Sequence, residues 1–136
     1  MRTSENDNES PRTVECIEAL RSRIGDRLSL AEDILAEHAK DSAHHQPQPP
    51  DAVAFPENVE ETADCVRICA EHRVPIIPFG TGTAVEGGVV AIHGGITIDV
   101  RRMNKVLRFS VPDMDATVQA GVTRLQLNTL LEEQGT

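Results

Sequence analysis

The stretch Pro75-Ile-Ile-Pro-Phe-Gly-Thr-Gly-Thr-Ala-Val-Glu-Gly-Gly88 contains the pattern that decides the fold. An apolar run from Val74 to Ile77 predicts a strand, and the small and hydroxylic residues after it predict a loop. Glycines let a backbone approach a ligand closely, and successive N–H groups with threonine hydroxyls can hydrogen-bond a phosphate. We therefore interpret residues 80–84, the glycine loop, as a binding site (a seat) for the phosphate of a phosphorylated cofactor.

The sequence on both sides of the glycine loop predicts alternating strands and helices. Apolar runs bounded by turn residues predict five strands, at 52–55, 74–77, 96–100, 106–111 and 116–119. The first two strands and the helix between them form a βαβ unit in outline, and the last two strands form an antiparallel hairpin. A final helix follows Thr123, which has capping-box spacing to Gln126. We therefore predict an α/β or α+β fold whose sheet is incomplete.

The helix of the βαβ unit is predicted over 59–72. Asn58 and Glu61 have capping-box spacing at its start. The apolar stripe that recurs at helical spacing, and that we expect to face the sheet, consists of Val59, Ala63, Val66 and Ala70.

The chain divides at a proline-rich connector, residues 44–50. Residues 1–46 are predicted to be an N-terminal tail and helical lead, and residues 47–136 to be the domain that contains the glycine loop. Within the lead, residues 1–10 are polar and are predicted to be disordered.

Two short helices are predicted in the lead. The first begins after Thr13 as its cap and stops at Gly25. Its inner face consists of Val14, Ile17, Leu20 and Ile24. Ser29 and Glu32 have capping-box spacing, which predicts a second helix from Leu30.

The composition argues against nucleic-acid binding and against a membrane span. The 136 residues carry a net charge of −9 and include no tryptophan or tyrosine. Negative charge repels a phosphate backbone, and the usual stacking partners of bases are missing. No apolar run approaches the roughly 20 residues that span a bilayer, and the acidic N-terminus resembles no targeting peptide. We therefore expect a cytoplasmic protein without a transmembrane segment that binds no nucleic acid.

The cysteines and paired histidines are not predicted to bind metal. Cys16, Cys65 and Cys69 are an odd number of thiols, which argues against a disulfide framework. We predict buried structural thiols, since free cysteine packs as a small hydrophobe. His44 and His45 lie in the proline-rich connector, where neighbouring side chains lack preorganised ligand geometry. We therefore expect no metal site.

The glycine loop lacks the defining residues of two familiar nucleotide-binding loops. A Walker-type loop requires Gly-Lys followed by Ser or Thr, and this lysine is absent. A dinucleotide-binding Rossmann loop requires Gly-x-Gly-x-x-Gly leading directly into a helix, and the pattern is not completed here.

The loop and its flanking motifs, taken in order, resemble a known family. The motifs are Pro50-Asp-Ala-Val-Ala-Phe-Pro56, Val74-Pro-Ile-Ile-Pro-Phe-Gly-Thr-Gly-Thr83, Glu86-Gly-Gly88, Gly94-Gly-Ile-Thr-Ile-Asp99, Arg102-Met-Asn104 and Gly121-Val-Thr123. Residues 47–136 resemble the N-terminal part of the FAD-binding PCMH-type domain of FAD-linked oxidases, the group of vanillyl-alcohol oxidase and p-cresol methylhydroxylase. Within the group they most resemble cytochrome-linked D-lactate dehydrogenases and glycolate oxidase FAD-linked subunits. The resemblance implies the first, βαβ-containing subdomain.

The resemblance implies that the glycine loop and the two residues before it wrap the FAD pyrophosphate. These residues are Pro78, Phe79, Gly80, Thr81, Gly82, Thr83 and Ala84. The glycines would allow close backbone approach, and the threonines would offer hydroxyls. Some relatives attach FAD through a histidine within or just after this loop. Because Thr83 and Ala84 occupy that region here, we expect noncovalent FAD.

Other residues near these motifs have two interpretations each. Gly121 and Val122 supply a backbone contact to the flavin nucleotide or form an ordinary strand-to-helix turn. Glu86 orients the glycine loop or is a solvated carboxylate. His93 and Asp99 are interpreted as turn residues, Asp99 as a cap on the turn that follows it rather than an acid–base group.

The resemblance implies an oxidoreductase that passes a hydride from a D-2-hydroxy acid to flavin, with D-lactate favoured over glycolate or 2-hydroxyglutarate. It also implies a second FAD segment and a substrate domain beyond residue 136, so no catalytic residue is predicted here. The alternative hypothesis is a truncated, non-catalytic remnant or binding module.

Overall fold

A computed structural model of the chain describes residues 4–39, 48–82 and 94–135. It contains helices α1 (Ser4–Ile24), α2 (Glu32–Glu37), α3 (Val59–Glu71) and α4 (Arg124–Glu133), and strands β1 (Leu28–Ser29), β2 (Ala52–Ala54), β3 (Ile76–Phe79), β4 (Ile96–Asp99), β5 (Val106–Ser110) and β6 (Asp115–Val118). A single 3₁₀ turn, Gly25–Arg27, joins α1 to β1. The mixture of helices and strands confirms the predicted α/β class.

The described strands form a mixed four-stranded sheet and a separate hairpin. The sheet order is β1-β2-β4-β3, in which β2, β4 and β3 run parallel and β1 pairs antiparallel with β2. β5 and β6 form the predicted antiparallel hairpin. Pro78 lies in the edge strand β3, where a missing N–H costs no internal ladder bond. The helix between β2 and β3 makes this the predicted βαβ unit.

Helices α1 and α3 cover one face of the sheet. The core between them consists of the buried residues Cys16, Leu20, Ile24, Leu28, Ala52, Ala54, Cys65, Ile68, Cys69, Val74, Ile96 and Ile98. All three cysteines are free and buried, which confirms the prediction of structural thiols. Burial raises the pKa of Cys65 to about 11 and raises the pKa values of Cys16 and Cys69 as well. Neutral, unreactive thiols therefore fill this layer.

The predicted inner face of α3 is wrong. The residues that α3 buries are Glu61, Cys65, Ile68 and Cys69. Val59 and Val66 are instead 67% and 43% exposed. Both stripes have helical spacing, so periodicity cannot separate them. Small cysteine side chains permit the close approach of α1, and Cys16 Sγ lies 3.9 Å from Cys69 Sγ.

The N-terminal lead also differs from the prediction. Helix α1 begins at Ser4, so residues 4–10 are helical rather than disordered, and Thr13 lies inside the helix instead of capping it. Val14, predicted on the inner face, is 51% exposed. The predicted stop is confirmed, since α1 ends at Ile24 and Gly25 takes a left-handed φ of 59°.

The segment after α1 contains a strand that was not predicted. Leu28 and Ser29 pair with β2 as β1. The hydroxyl of Ser29 accepts a hydrogen bond from the Ala31 N–H at 3.2 Å, and α2 begins at Glu32, two residues later than expected. The two-residue strand exists only because β2 offers an edge, which local sequence cannot report. The predicted connector spans residues 44–50, of which residues 44–47 lie outside the described residues.

The predicted caps of α3 and α4 are confirmed. Asn58 Oδ1 accepts from the Glu61 N–H at 2.8 Å, and Thr123 Oγ1 accepts from the Gln126 N–H at 3.1 Å. The Glu61 carboxylate accepts from the Glu57 N–H at 3.1 Å. Each of these two helices therefore begins within one residue of its predicted start.

Gly121 packs its backbone directly against the turn after β4. A Cβ at this position would lie 2.0 Å from the Val100 carbonyl oxygen and 2.9 Å from that of Met103. We therefore expect Gly121→Ala to lower the free energy of unfolding by about 1–3 kcal/mol, the usual range for overpacking. Urea unfolding followed by circular dichroism measures this loss. An unchanged midpoint would contradict the packing argument.

Candidate functional site

The carboxyl ends of the three parallel strands lie together at one end of the sheet, which we call the carboxyl edge. Phe55 follows β2, Gly80 follows β3 and Val100 follows β4, and the register pairs Phe79 with Asp99 at this edge. Ligands of open sheets with parallel strands bind outside the carboxyl ends of the strands. The fold therefore places the start of the glycine loop where such a ligand is expected.

The described half of the glycine loop combines open space with close packing. Gly80 is exposed, and a Cβ built on it would meet no atom of the described residues within 4 Å. Gly82 takes a φ of +75°, and a Cβ on it would lie 2.8 Å from the ring of Phe79. The backbone at Gly80 is thus open to a ligand, while Gly82 lies against the protein.

Five of the seven predicted cofactor residues are described. Pro78 and Thr81 are exposed, whereas Phe79 is only 5% exposed, so its ring supports the loop from the protein side. Thr83 and Ala84 lie outside the described residues, as do Glu86 and His93. The assignment of these seven residues to a cofactor-binding site therefore remains a prediction.

A histidine that the sequence did not single out lies beneath this edge. His38, at the end of α2, is fully buried. Its Nε2 lies 2.6 Å from Asp99 Oδ2, and its ring centroid lies 4.3 Å from that of Phe79 and 5.9 Å from that of Phe55. His38 is 61 residues from Asp99 along the chain. No local motif signals such a contact.

Asp99 caps the turn after β4, as predicted, and also binds His38. Its Oδ1 accepts from the Arg101 N–H at 2.8 Å, and its Oδ2 accepts from Arg101 Nε at 2.9 Å. Asp99 is fully buried, and its bond to His38 is buried as well, whereas its bonds to Arg101 are partly buried. The carboxylate therefore joins the lead segment, strand β4 and the following turn.

Two arginines lie at this edge, and one of them has no carboxylate partner among the described residues. The guanidinium carbons of Arg101 and Arg102 lie 5.6 Å and 5.1 Å from the centroid of the Phe55 ring, within cation–π range. Arg101 pairs with Asp99 and Glu37. Arg102 has no carboxylate partner among the described residues. The edge can therefore offer a guanidinium to an anion despite the acidity of the chain.

The other parts of the described chain are less suited to binding a ligand. A polar cleft of about 500 Å³ at the start of α3 is lined by Arg23, Arg27, Glu57, Asn58, Glu60 and Glu61. Its charges include arginine–glutamate pairs that satisfy one another. Within residues 4–39, 48–82 and 94–135, no group of acidic, histidine or cysteine side chains could hold a metal ion. None of the helices described combines the length and hydropathy of a membrane span.

Comparison with known proteins gives consistent matches. Residues 50–136 match the family model described as FAD binding domain. The chain is 42% identical over 120 residues to the probable mitochondrial D-lactate dehydrogenase of Danio rerio and 41% identical over 86 residues to the glycolate oxidase subunit GlcD of Bacillus subtilis. Among solved structures, p-cresol methylhydroxylase superposes with a TM-score of 0.80 at 26% identity.

These matches cover most of this chain but a small part of each relative. The Danio rerio alignment includes 88% of the chain and 24% of the relative, and the Bacillus subtilis alignment 63% and 18%. The p-cresol methylhydroxylase superposition covers 92% of the chain and 25% of that structure. The chain therefore spans about a quarter of the length of these proteins.

Proposed function

The chain belongs to the FAD binding domain family, which it matches over residues 50–136, and we propose that it forms the flavin pyrophosphate seat of a D-2-hydroxy acid dehydrogenase. FAD is the cofactor of this family, so the predicted cofactor is confirmed. We assign the seat to the predicted residues: Pro78, Phe79, Gly80, Thr81, Gly82, Thr83 and Ala84. The observation that carries the assignment is the open backbone of Gly80 at the carboxyl edge of the parallel sheet.

The described residues fit a pyrophosphate. The strand β3 presents Gly80 without a side chain in the way, and Thr81 beside it is exposed. Arg102 adds an exposed guanidinium at the neighbouring strand end. Backbone N–H groups and a guanidinium donate hydrogen bonds, and phosphate oxygens accept them. We propose that the FAD is held noncovalently.

Gly80→Ala tests the seat, because it separates binding from folding. Within the part of the chain that the structure describes, no atom lies within 4 Å of the added methyl group, so we expect the urea midpoint of the apoprotein to stay unchanged. A methyl group between backbone and phosphate should raise the FAD dissociation constant about tenfold, which corresponds to about 1.4 kcal/mol. FAD titration followed by flavin fluorescence measures it. Gly135→Ala is the control: its φ of +75° strains alanine at the end of α4, so it should lower the urea midpoint slightly but leave the FAD dissociation constant unchanged.

The proposed substrate is D-lactate. The support is the name of the Danio rerio relative, whose 42% identity covers 88% of this chain. Bound FAD would supply the hydride acceptor, while the chain described here positions the cofactor. The residues that bind the substrate are expected outside this quarter of the relatives' length, so the substrate rests on similarity rather than on a pocket.

Anaerobic reduction of the full-length protein tests the substrate. We expect D-lactate to bleach the visible absorbance of the flavin, with L-lactate as the control that leaves it unchanged. Faster bleaching by glycolate or D-2-hydroxyglutarate would make that compound the proposed substrate. Glycolate is the second candidate because of the 41% identity to GlcD. FAD binding without bleaching by any of them would favour a non-catalytic binding module.

The compartment is proposed to be the cytoplasm, on the acidic composition of the chain. The Danio rerio relative is named as mitochondrial. Cell fractionation with an antibody against the protein decides between the two compartments.

A further inference from the structure

His38 reaches the carboxyl edge of the sheet from outside the matched domain. The family match begins at residue 50, whereas His38 ends helix α2 in the N-terminal lead. Its side chain is fully buried over the face of the sheet opposite the core formed with α1 and α3. Alternation along the strands puts Phe55, Asp99 and Phe79 on this opposite face, in one row across the strand ends.

The hydrogen bonds of His38 fix the orientation of its ring. Nδ1 lies 2.7 Å from the Ile34 carbonyl oxygen, and Nε2 lies 2.6 Å from Asp99 Oδ2. A carbonyl oxygen only accepts hydrogen bonds, so Nδ1 donates to Ile34, while Nε2 is held against the Asp99 carboxyl group. A buried ring held at both nitrogens cannot rotate without leaving polar groups unpaired.

The fixed ring supports the glycine loop through one intermediate side chain. The His38 ring centroid lies 4.3 Å from that of Phe79 at an interplanar angle of 48°. The Phe79 ring in turn fills the space beside Gly82, where a Cβ would come within 2.8 Å of it. A movement of His38 would therefore displace Phe79, and through it the backbone at Gly82.

We propose that His38 is a positioning residue for the flavin pyrophosphate: the Asp99–His38–Phe79 stack supplies the rigid support on which the glycine loop binds FAD. The inference rests on the proposed function of that loop. It adds that the N-terminal lead completes the cofactor site from outside the matched domain.

His72 is a matched control for His38. It also ends its helix, α3, and its Nδ1 lies 2.8 Å from the carbonyl oxygen four residues earlier, that of Ile68. It is half-buried and lies at the opposite end of the βα unit from the glycine loop. Replacing His72 removes the same helix-end bond without touching the stack.

The first test is FAD titration of the full-length apoprotein carrying His38→Ala, His38→Gln, His72→Ala or His72→Gln. We expect His38→Ala to raise the dissociation constant about tenfold. Because glutamine keeps a planar hydrogen-bonding group, His38→Gln should restore part of the affinity. Both His72 variants should bind FAD like the wild type. A folded His38→Ala that binds FAD as tightly as the His72 variants would overturn the proposal.

A second test needs no variant and covers the case in which His38→Ala fails to fold. NMR of selectively labelled histidine rings in the wild-type protein should show the His38 signals shifting when FAD is added, and those of His72 remaining in place. His38 signals that stay unchanged when FAD is bound would refute the proposal.

The outcomes separate this inference from the proposed function. A wild-type protein that binds no FAD would refute the proposed function itself. FAD binding that Gly80→Ala weakens, but that folded His38 variants leave unchanged, would refute the role of His38 alone.

Discussion

Asp99→Ala is expected to lower the free energy of unfolding by about 3–5 kcal/mol, because it leaves several polar groups around a buried position without their hydrogen-bond partner. Asp99 is fully buried and accepts from His38 and twice from Arg101. Alanine would leave Nε2 of the buried His38 ring and the Arg101 N–H without their hydrogen-bond partner. Because a domain of this size is stable by only about 5–15 kcal/mol, the loss should be close to unfolding.

Asp115→Ala is the matched control. Asp115 also lies in a strand and pairs with an arginine, Arg108, at 2.5 Å, but 53% of its side chain is exposed. Exposed pairs contribute little, so we expect a change within about 0.5 kcal/mol. Urea unfolding of both variants, followed by circular dichroism, makes the comparison. Equal midpoints for the two variants would show that burial does not amplify the Asp99 interactions.

Local patterns predicted most of the domain because their physics is local. Asn58 and Thr123 cap their helices through bonds to residues three positions later, so the sequence contains both partners. Gly25 ends α1 because it takes a left-handed conformation that other residues adopt at a cost. The glycine loop follows β3 because its small residues end the strand, which is also a local effect.

The features that were missed depend on partners distant in the chain. The inner face of α3 contains Glu61, a charged residue that is buried only because Arg27, 34 residues earlier, pairs with it. His38 enters the candidate site only through Asp99, 61 residues later. Strand β1 requires the edge of β2. Hydrophobic periodicity depends only on neighbouring positions in the sequence, so it could not predict any of these contacts.

The Arg27–Glu61 pair also makes the stability of the fold depend on pH. Arg27 follows α1, Glu61 lies in the first turn of α3, and the glutamate side chain is 6% exposed. The hydrogen bond from Arg27 is the main cause that holds the pKa of Glu61 below its ordinary value, against the opposing effect of burial. Because the pKa is lowered on folding, the pair stabilises the fold above the unfolded pKa of about 4.3 and loses this contribution as pH falls through the folded pKa.

Arg27→Met is therefore expected to cost about 3 kcal/mol at pH 7, because it leaves the buried Glu61 carboxylate without its main partner. As pH falls below about 4.3, Glu61 becomes protonated and the difference between wild type and variant should shrink. Arg67→Met is the control, since Arg67 is 57% exposed and pairs with the exposed Glu71 at 3.1 Å. Urea midpoints of the three proteins between pH 7 and pH 3 measure the effect. A loss for Arg27→Met that stays constant over this range would contradict a lowered Glu61 pKa and would assign the cost to lost packing of the arginine stem.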